Sequence, residues 1–115
     1  MATSRRVEKI DELIKRELGQ IILRELELPR DVLLTIISVE TTSNLIESRV
    51  FISVMPEGKE KEVLKILGWN IWELQQILNK KLRIRPVPKI IFLPEKQLKE
   101  AIKVEKIFQK INNEG

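Results

Sequence analysis

The chain has 115 residues, of which 43% are hydrophobic and 33% charged, so it has room for one compact domain with a real core. It contains no cysteine and no histidine, which excludes a disulfide framework and removes the commonest general base and transition-metal ligand. No apolar run approaches the roughly 20 residues of a membrane span, and the opening MATSRRVEKIDEL lacks the apolar core of a secretory signal. We therefore expect a cytoplasmic protein with no metal, no cofactor, no membrane contact and one domain over residues 1–115.

The first predicted element is an amphipathic helix from Arg5 to Leu26, for which Thr3 or Ser4 is the candidate N-cap. Pro29 ends any helix by that point. Charged residues occupy one side of the helix. The apolar residues recur at helical spacing on the other side and are Val7, Ile10, Leu13, Ile14, Leu18, Ile21 and Ile22. This stripe predicts a face that packs against the rest of the domain.

Two strands are predicted next. The run from Val32 to Thr42 is short and dense in β-branched residues, which favours a strand. The run from Glu47 to Met55 alternates apolar residues with other side chains, which is typical of a second strand. Thr41 to Asn44 is a polar turn candidate between them, so the two runs predict an antiparallel hairpin.

A second helical pattern begins at Lys59 and contains an interior glycine, Gly68. Because a mid-helix glycine costs about 1 kcal/mol relative to alanine, it predicts a kink, a close contact or a break into two helices. Trp69 and Trp72 flank this point. Tryptophan is usually mostly buried, so we expect at least one of the two to lie wholly or partly in the core, with a stacking platform for bases as the alternative.

The C-terminal part predicts a basic connector from Lys80 to Pro88, a strand from Lys89 to Leu93 and a last helix starting at Pro94 and Glu95. Residues 112–115 are expected to be a frayed tail. The predicted order is α-β-β-α-(kink)-α-β-α. This order indicates an α+β fold in which a three-stranded sheet is packed on helices. Apolar positions of the last helix are Leu98, Ile102, Phe108 and Ile111.

The basic connector is the clearest functional signal. Between Glu73 and Glu95 there are five basic residues and no acidic one, and such a segment attracts phosphates and releases counterions on binding. Arg83 and Arg85 would face the same way in an extended segment, and arginine suits forked phosphate contacts. An ordinary solvated basic loop is the alternative. The five candidate RNA-binding residues are Lys80, Lys81, Arg83, Arg85 and Lys89.

The first helix carries a second, weaker basic patch at Arg5, Arg6, Lys9, Lys15 and Arg16, of which Arg5, Arg6 and Lys9 are candidate RNA-binding residues. Acidic residues are mixed into this face, so a solvated helix surface is the competing interpretation. The chain contains no Gly-rich phosphate loop and no nucleophile with a base nearby in sequence. We therefore expect no enzymatic activity and no small-molecule substrate.

Three segments of the sequence resemble those of a known family. SRRVEKIDELIKRELGQIILREL is similar to its first helix, TIISVETTSNLIESRVFISV to its two-strand hairpin, and LRIRPVPKIIFLPE to its third-strand signature. The signature residues here are Arg85, Pro88, Phe92 and Glu95. In this order and spacing, nearly the whole chain resembles the ribosome-binding factor A family of bacterial small-subunit maturation factors.

The resemblance implies a type II KH domain that lacks the GXXG loop of standard KH domains and has a helix kink, usually Ala-x-Gly, in its place. The matching place here is Asn70-Ile71-Trp72, with Gly68 two residues earlier, so the predicted kink region contains Gly68, Trp69, Asn70 and Trp72. Asn44 and Ser48 also depart from the Asp and Ala that the family often has. These departures indicate a divergent member.

The resemblance also implies a non-enzymatic assembly factor that is monomeric when free. It would bind the immature small (30S) ribosomal subunit and its rRNA near the decoding region and neck, and assist late folding and 5′-end processing of that rRNA. Two alternatives remain open. One is a general single-stranded RNA- or DNA-binding module that uses the sheet and the tryptophans. The other is a protein-interaction module in which the sheet surface or the tryptophan pair meets a partner chain.

Overall fold

The structure, a computed structural model, describes residues 5–97. Its helices are α1 (Arg5–Glu25), α2 (Glu60–Trp69) and α3 (Ile71–Lys81), its strands are β1 (Leu33–Thr41), β2 (Glu47–Met55) and β3 (Lys89–Pro94), and a 3-10 turn spans Glu57–Lys59. Within this range, each predicted element is present. The proposed N-cap at Thr3 or Ser4, the last helix beyond residue 97 and the tail 112–115 lie outside the described residues.

The sheet has the order β1-β2-β3, so β2 is the central strand. β1 and β2 form the predicted antiparallel hairpin, which pairs Thr41 with Ser48 and Leu33 with Met55. The register shifts between Ile36 and Ser38, which leaves a β-bulge at Ile37. β3 runs parallel to β2. A parallel pair needs a long crossover, and α2 and α3 supply it here.

The core lies between one face of the sheet and the helices. Alternate residues of β2, such as Val50 and Ile52, point into it and are fully buried. The helical residues that meet them come from the predicted apolar stripes of all three helices, and Ser48 is buried with its hydroxyl 2.7 Å from Thr41 Oγ1. No helix in the part of the chain from 5 to 97 is long and apolar enough to cross a membrane.

The second helical pattern is broken into two helices at Asn70, which has φ −106° and ψ 5°. Its side-chain Nδ2 donates to the Ile66 carbonyl at 2.7 Å, and its own carbonyl accepts from Leu74 N at 3.0 Å. The asparagine side chain therefore competes with backbone N–H groups for the Ile66 carbonyl at the end of α2. The Asn70 carbonyl accepts the first backbone hydrogen bond of α3. The break lies within the predicted kink region, at the first residue of Asn70-Ile71-Trp72. Gly68 itself remains in α2, and a Cβ there would meet nothing within 4 Å.

The expectation that Trp69 or Trp72 lies in the core is wrong. Their exposed fractions are 78% and 71%. Leu67, Leu74 and Leu78 occupy the buried side of α2 and α3, so the two indoles project from the other side.

Candidate nucleic-acid interface

One end of the sheet gathers the starts of two strands and the end of the third. The antiparallel hairpin brings Thr41, the last residue of β1, beside Ser48 of β2. The parallel pairing places Lys89, the first residue of β3, opposite Glu47, the first residue of β2. Lys89 N also donates to the Ile46 carbonyl in the hairpin turn at 2.9 Å.

Helix α1 is fixed to the same end of the sheet. Asp11 Oδ1 accepts a hydrogen bond from Thr41 N at 2.9 Å, and Lys15 Nζ donates to the Ile37 carbonyl at 3.2 Å. Helix α1 thus runs antiparallel to β1. At a rise of about 1.5 Å per residue, Arg5 lies roughly 9 Å beyond Asp11 along the helix axis, past the end of β1.

Helix α3 and the connector complete this end of the sheet. Its last turn carries Lys80 and Lys81, and the connector 82–88 then leads directly to Lys89. Sequence reasoning treated the two basic patches as separate. Strand register and chain order assign Arg5, Arg6 and Lys9 to the same end of the sheet as the connector, whereas Lys15 and Arg16 lie further along α1. We call this surface the basic end, defined by eight exposed residues: Arg5, Arg6, Lys9, Lys80, Lys81, Arg83, Arg85 and Lys89.

The positive charges of the basic end are largely unpaired. The salt bridges within residues 5–97 join Arg16 to Glu17, Arg49 to Glu47 and Lys59 to Glu62, and none of them uses a cation of the basic end. Their charge is therefore available to an anionic ligand.

The connector is shorter than predicted and is anchored at both ends. Lys80 and Lys81 belong to α3, Lys89 belongs to β3, and Leu82 and Pro88 are buried. Arg83 is exposed and makes no hydrogen bond to the described part of the chain.

Arg85 differs from Arg83 because part of its guanidinium is already used. Its Nη1 donates to the carbonyls of Leu82 and Ile84 at 2.9 and 2.7 Å. The other guanidinium donors remain available, so Arg85 both braces the connector and presents charge.

Gln75 of α3 positions the entry to β3, and sequence reasoning missed it. Its Oε1 accepts from Ile90 N at 2.8 Å and its Nε2 donates to the Pro88 carbonyl at 3.1 Å. One side chain thus holds the backbone on both sides of Lys89. A glutamine on the sheet-facing side of an amphipathic helix was the only signal for this role.

The hairpin turn at the basic end is held by its own polar groups. Asn44 Oδ1 accepts from Ile46 N at 3.1 Å and from the Thr42 hydroxyl at 2.6 Å. Leu45 has a φ of 61°, a conformation that most non-glycine residues avoid. Ile46, whose carbonyl accepts from Lys89 N, has a side chain that is 65% exposed, so an apolar residue lies in the turn next to Lys89.

Asp11 has a raised pKa. Burial raises the pKa of this carboxyl above its ordinary value of 3.8, the hydrogen bonds from Thr41 partly oppose the shift, and the nearby Glu8 charge adds to it. The charged form is therefore disfavoured in the folded protein.

Replacing Asp11 by asparagine tests this assignment. Asp11→Asn keeps the acceptor for Thr41 N and removes the charge, so we expect it to gain stability relative to the wild type at pH 7. The wild-type contribution of a group with a raised pKa is complete below its unfolded pKa of 3.8 and is lost as the pH rises through the folded pKa. Urea unfolding of both proteins across this range should show the difference shrinking toward low pH.

The control for this comparison is Asp11→Ala, which removes the acceptor and leaves the part-buried Thr41 N–H without it. The free energy of unfolding of Asp11→Ala should be about 1–3 kcal/mol lower than that of the wild type at every pH. A difference between wild type and Asp11→Asn that grows as the pH falls would contradict the assignment.

The exposed tryptophans give a second test of the structure. Replacing Trp69 or Trp72 by alanine should change the free energy of unfolding by no more than about 0.5 kcal/mol, because each indole is largely in solvent. The wild-type emission spectrum should also shift little on unfolding in urea. A loss of about 3–5 kcal/mol in either variant, as for a core tryptophan, would contradict the exposed placement.

Comparisons with family models, protein sequences and solved structures all find the same family. The family model for ribosome-binding factor A matches residues 6–108. A ribosome-binding factor A from Bdellovibrio bacteriovorus is 29% identical over 122 aligned residues, covering 100% of this chain and 91% of that protein. The crystal structure of ribosome-binding factor A from Thermus thermophilus has a TM-score of 0.67 at 28% identity, covering 76% of this chain and 94% of that one.

The chain is also similar to a homology model of the Thermus thermophilus ribosome binding factor A that was fitted into the cryo-electron microscopy map of its complex with the 30S subunit. It has a TM-score of 0.63 at 30% identity, with coverage of 72% of this chain and 88% of that one.

The element order, the parallel third strand and the break at Asn70 define a KH-like domain of the type II order, and the predicted α+β class is confirmed. Within the described residues no cluster of side chains suited to a metal ion is found. The chain belongs to the ribosome-binding factor A family, which confirms the resemblance over nearly its whole length.

Proposed function

We propose that the protein is a non-enzymatic assembly factor that binds the immature small ribosomal subunit and its rRNA through the basic end. The proposal is supported by eight exposed cations, none in a salt bridge within residues 5–97, which strand register and chain order assign to one end of the sheet. Membership of the family and the relative fitted into a 30S complex support the choice of partner.

Binding through the basic end is mainly electrostatic. Lysine and arginine contacts to phosphates release counterions and supply affinity, whereas the shape of the folded rRNA supplies selectivity. Gln75 and the buried Pro88 hold the connector against the sheet, so the charges near Lys89 have a rigid support. Such support lowers the entropic cost of ordering these side chains on binding.

The protein is monomeric when free and acts on late folding and 5′-end processing of the small-subunit rRNA. Its effect on processing is through the conformation of the bound rRNA. Cells that lack it should accumulate small-subunit rRNA with unprocessed 5′ ends. Complementation by a variant with an intact core and a neutralised basic end should fail.

Co-sedimentation with small subunits is the direct test. At low salt the protein should move with immature small subunits and should bind mature 70S ribosomes less well. If it stays at the top of the gradient with both, the proposed function is wrong.

A general single-strand binder is the second candidate, and the exposed Trp69 and Trp72 beside the helix break favour it. Bases stack on exposed aromatic rings with little sequence preference. Strong quenching of tryptophan fluorescence by short oligonucleotides, at concentrations where small subunits do not compete, would favour this alternative over the first.

A further inference from the structure

An apolar groove of about 630 Å³ lies between the C-terminal half of α1 and the N-terminal half of β1. Its wall on the helix side includes Ile22 and Leu26, and its wall on the strand side includes Leu34 and Ile36. The rim carries Leu23 and Leu33, which are 84% and 64% exposed. The groove lies at the end of the sheet opposite the basic end, because α1 and β1 run antiparallel and Asp11 contacts Thr41.

Gly19 keeps the groove open from the helix side. It lies in the interior of α1, where glycine destabilises a helix relative to alanine, and a Cβ at this position would meet nothing within 4 Å. Neither a close contact nor an unusual backbone angle requires glycine here. The missing side chain leaves space in the groove. A ligand that occupies this space would offset the cost of glycine to the stability of the helix.

The strand that forms the other wall is at the edge of the sheet. In the sheet order β1-β2-β3, the outer edge of β1 faces no other strand of the described chain. In the second half of β1, Ile37 O and Thr41 N are bonded to Lys15 and Asp11 of α1. The first half, beside the groove, presents an edge that an extended peptide can complete as an added strand. Domains that bind a peptide by strand addition use an exposed sheet edge in this way, with pockets that take alternate side chains of the peptide.

The charges around the groove have a single sign. Among residues 5–97, the charged residues that line it are Lys15, Arg16 and Arg30, and no carboxylate of this range lines it. Lys15 is held by the Ile37 carbonyl at 3.2 Å, and Arg16 has one long ion pair with Glu17 at 3.6 Å. An apolar floor with a positive rim is complementary to a segment that carries both apolar side chains and carboxylates.

We propose that this groove binds an extended, apolar and acidic peptide segment of a partner protein, which adds to the free edge of β1. The site is separate from the basic end, so a peptide bound in the groove leaves the basic end accessible. The proposal does not depend on the proposed function.

The test uses two fluorescein-labelled synthetic peptides, each about eight residues long to match a typical strand. One alternates valine with glutamate and the other alternates valine with lysine. Fluorescence anisotropy with the full chain should show the glutamate peptide binding at least about tenfold more tightly. Amide resonances of the first half of β1 should shift on addition of that peptide.

Gly19→Phe fills the groove from the helix and should weaken binding of the glutamate peptide at least about tenfold. Gly68→Phe is the matched control, since Gly68 is also a helical glycine with open space around it, and it should bind as the wild type does. Arg30→Glu should weaken binding without blocking the groove, and Lys61→Glu on α2 should not. Thermal unfolding of each variant verifies that it is folded.

Four outcomes would overturn the proposal. The first is equal binding of both peptides, or none at millimolar concentration. The second is unchanged binding in both Gly19→Phe and Arg30→Glu. The third is self-association of the wild type that Gly19→Phe abolishes, which would make the groove an interface between two copies. The fourth is displacement of the peptide by oligouridylate, which would assign the groove to nucleic acid.

Discussion

Removing Lys80 and Arg83 together is expected to weaken binding to immature small subunits by at least about tenfold near physiological salt. Both side chains are exposed, and neither forms a salt bridge within residues 5–97. Each lost phosphate contact should also lower the slope of log affinity against log salt by about 1. The measurement is co-sedimentation or filter binding of the double alanine variant at several salt concentrations.

The matched control removes the same charge elsewhere. Lys61 and Lys65 lie on α2 and are exposed, and neither has a salt-bridge partner in the described chain. α2 follows the C-terminal end of β2, away from the basic end. Lys61→Ala combined with Lys65→Ala should change the affinity and the salt slope much less. Equal losses in the two double variants would mean that net charge, and not the basic end, governs binding.

Truncating Leu78 to alanine should have the largest effect on stability. Leu78 is fully buried in the core cluster, where its removal leaves a cavity between α3 and its neighbours. Such a change costs about 2–5 kcal/mol, whereas the whole domain is expected to be stable by about 5–15 kcal/mol. Urea unfolding followed by circular dichroism measures the loss as a lower midpoint at similar slope.

Leu23→Ala is the control for that measurement. Leu23 is 84% exposed on α1, and leucine and alanine are both good helix formers, so the change should be within about 0.5 kcal/mol. A comparable loss in the two variants would contradict the placement of the core. The fraction of Leu78→Ala that remains folded should bind subunits with nearly the wild-type affinity, because Leu78 does not contact solvent.

The secondary structure follows from local patterns in the sequence. The apolar stripe of α1 includes Val7, Ile14 and Leu18, and all three are buried as helical spacing predicts. The alternation in β2 places Val50 and Ile52 in the core. Phe51 departs from this simple alternation, since it is 4% exposed although it points to the opposite face of the sheet from its neighbours in the strand. Its position on the central strand, between Ser38 and Leu93, was not evident from periodicity.

The position of the candidate site depends on long-range pairing that periodicity does not encode. The parallel alignment of β3 with β2 brings Lys89 to the end where α1 begins, and no local signal distinguishes it from an antiparallel alignment. The same limit explains the tryptophans. In an unbroken helix their spacing would put them on part of one face, whereas Trp69 ends α2 and Trp72 lies at the start of α3, and which faces are buried depends on how the two helices pack. The break lies at Asn70, whose side chain donates a hydrogen bond to the Ile66 carbonyl. The helical pattern alone pointed to Gly68, and the family resemblance pointed to Asn70-Ile71-Trp72.

The parallel pairing of β2 with β3 has a consequence for protein synthesis. The basic end combines residues 5–9 with residues 80–89, so its two parts are made far apart in time on a translating ribosome. The surface is complete only when Lys89 has emerged and β3 has paired with β2. A nascent or truncated chain that stops before β3 lacks this surface, so binding through the basic end, as proposed, would select finished and folded copies of the protein.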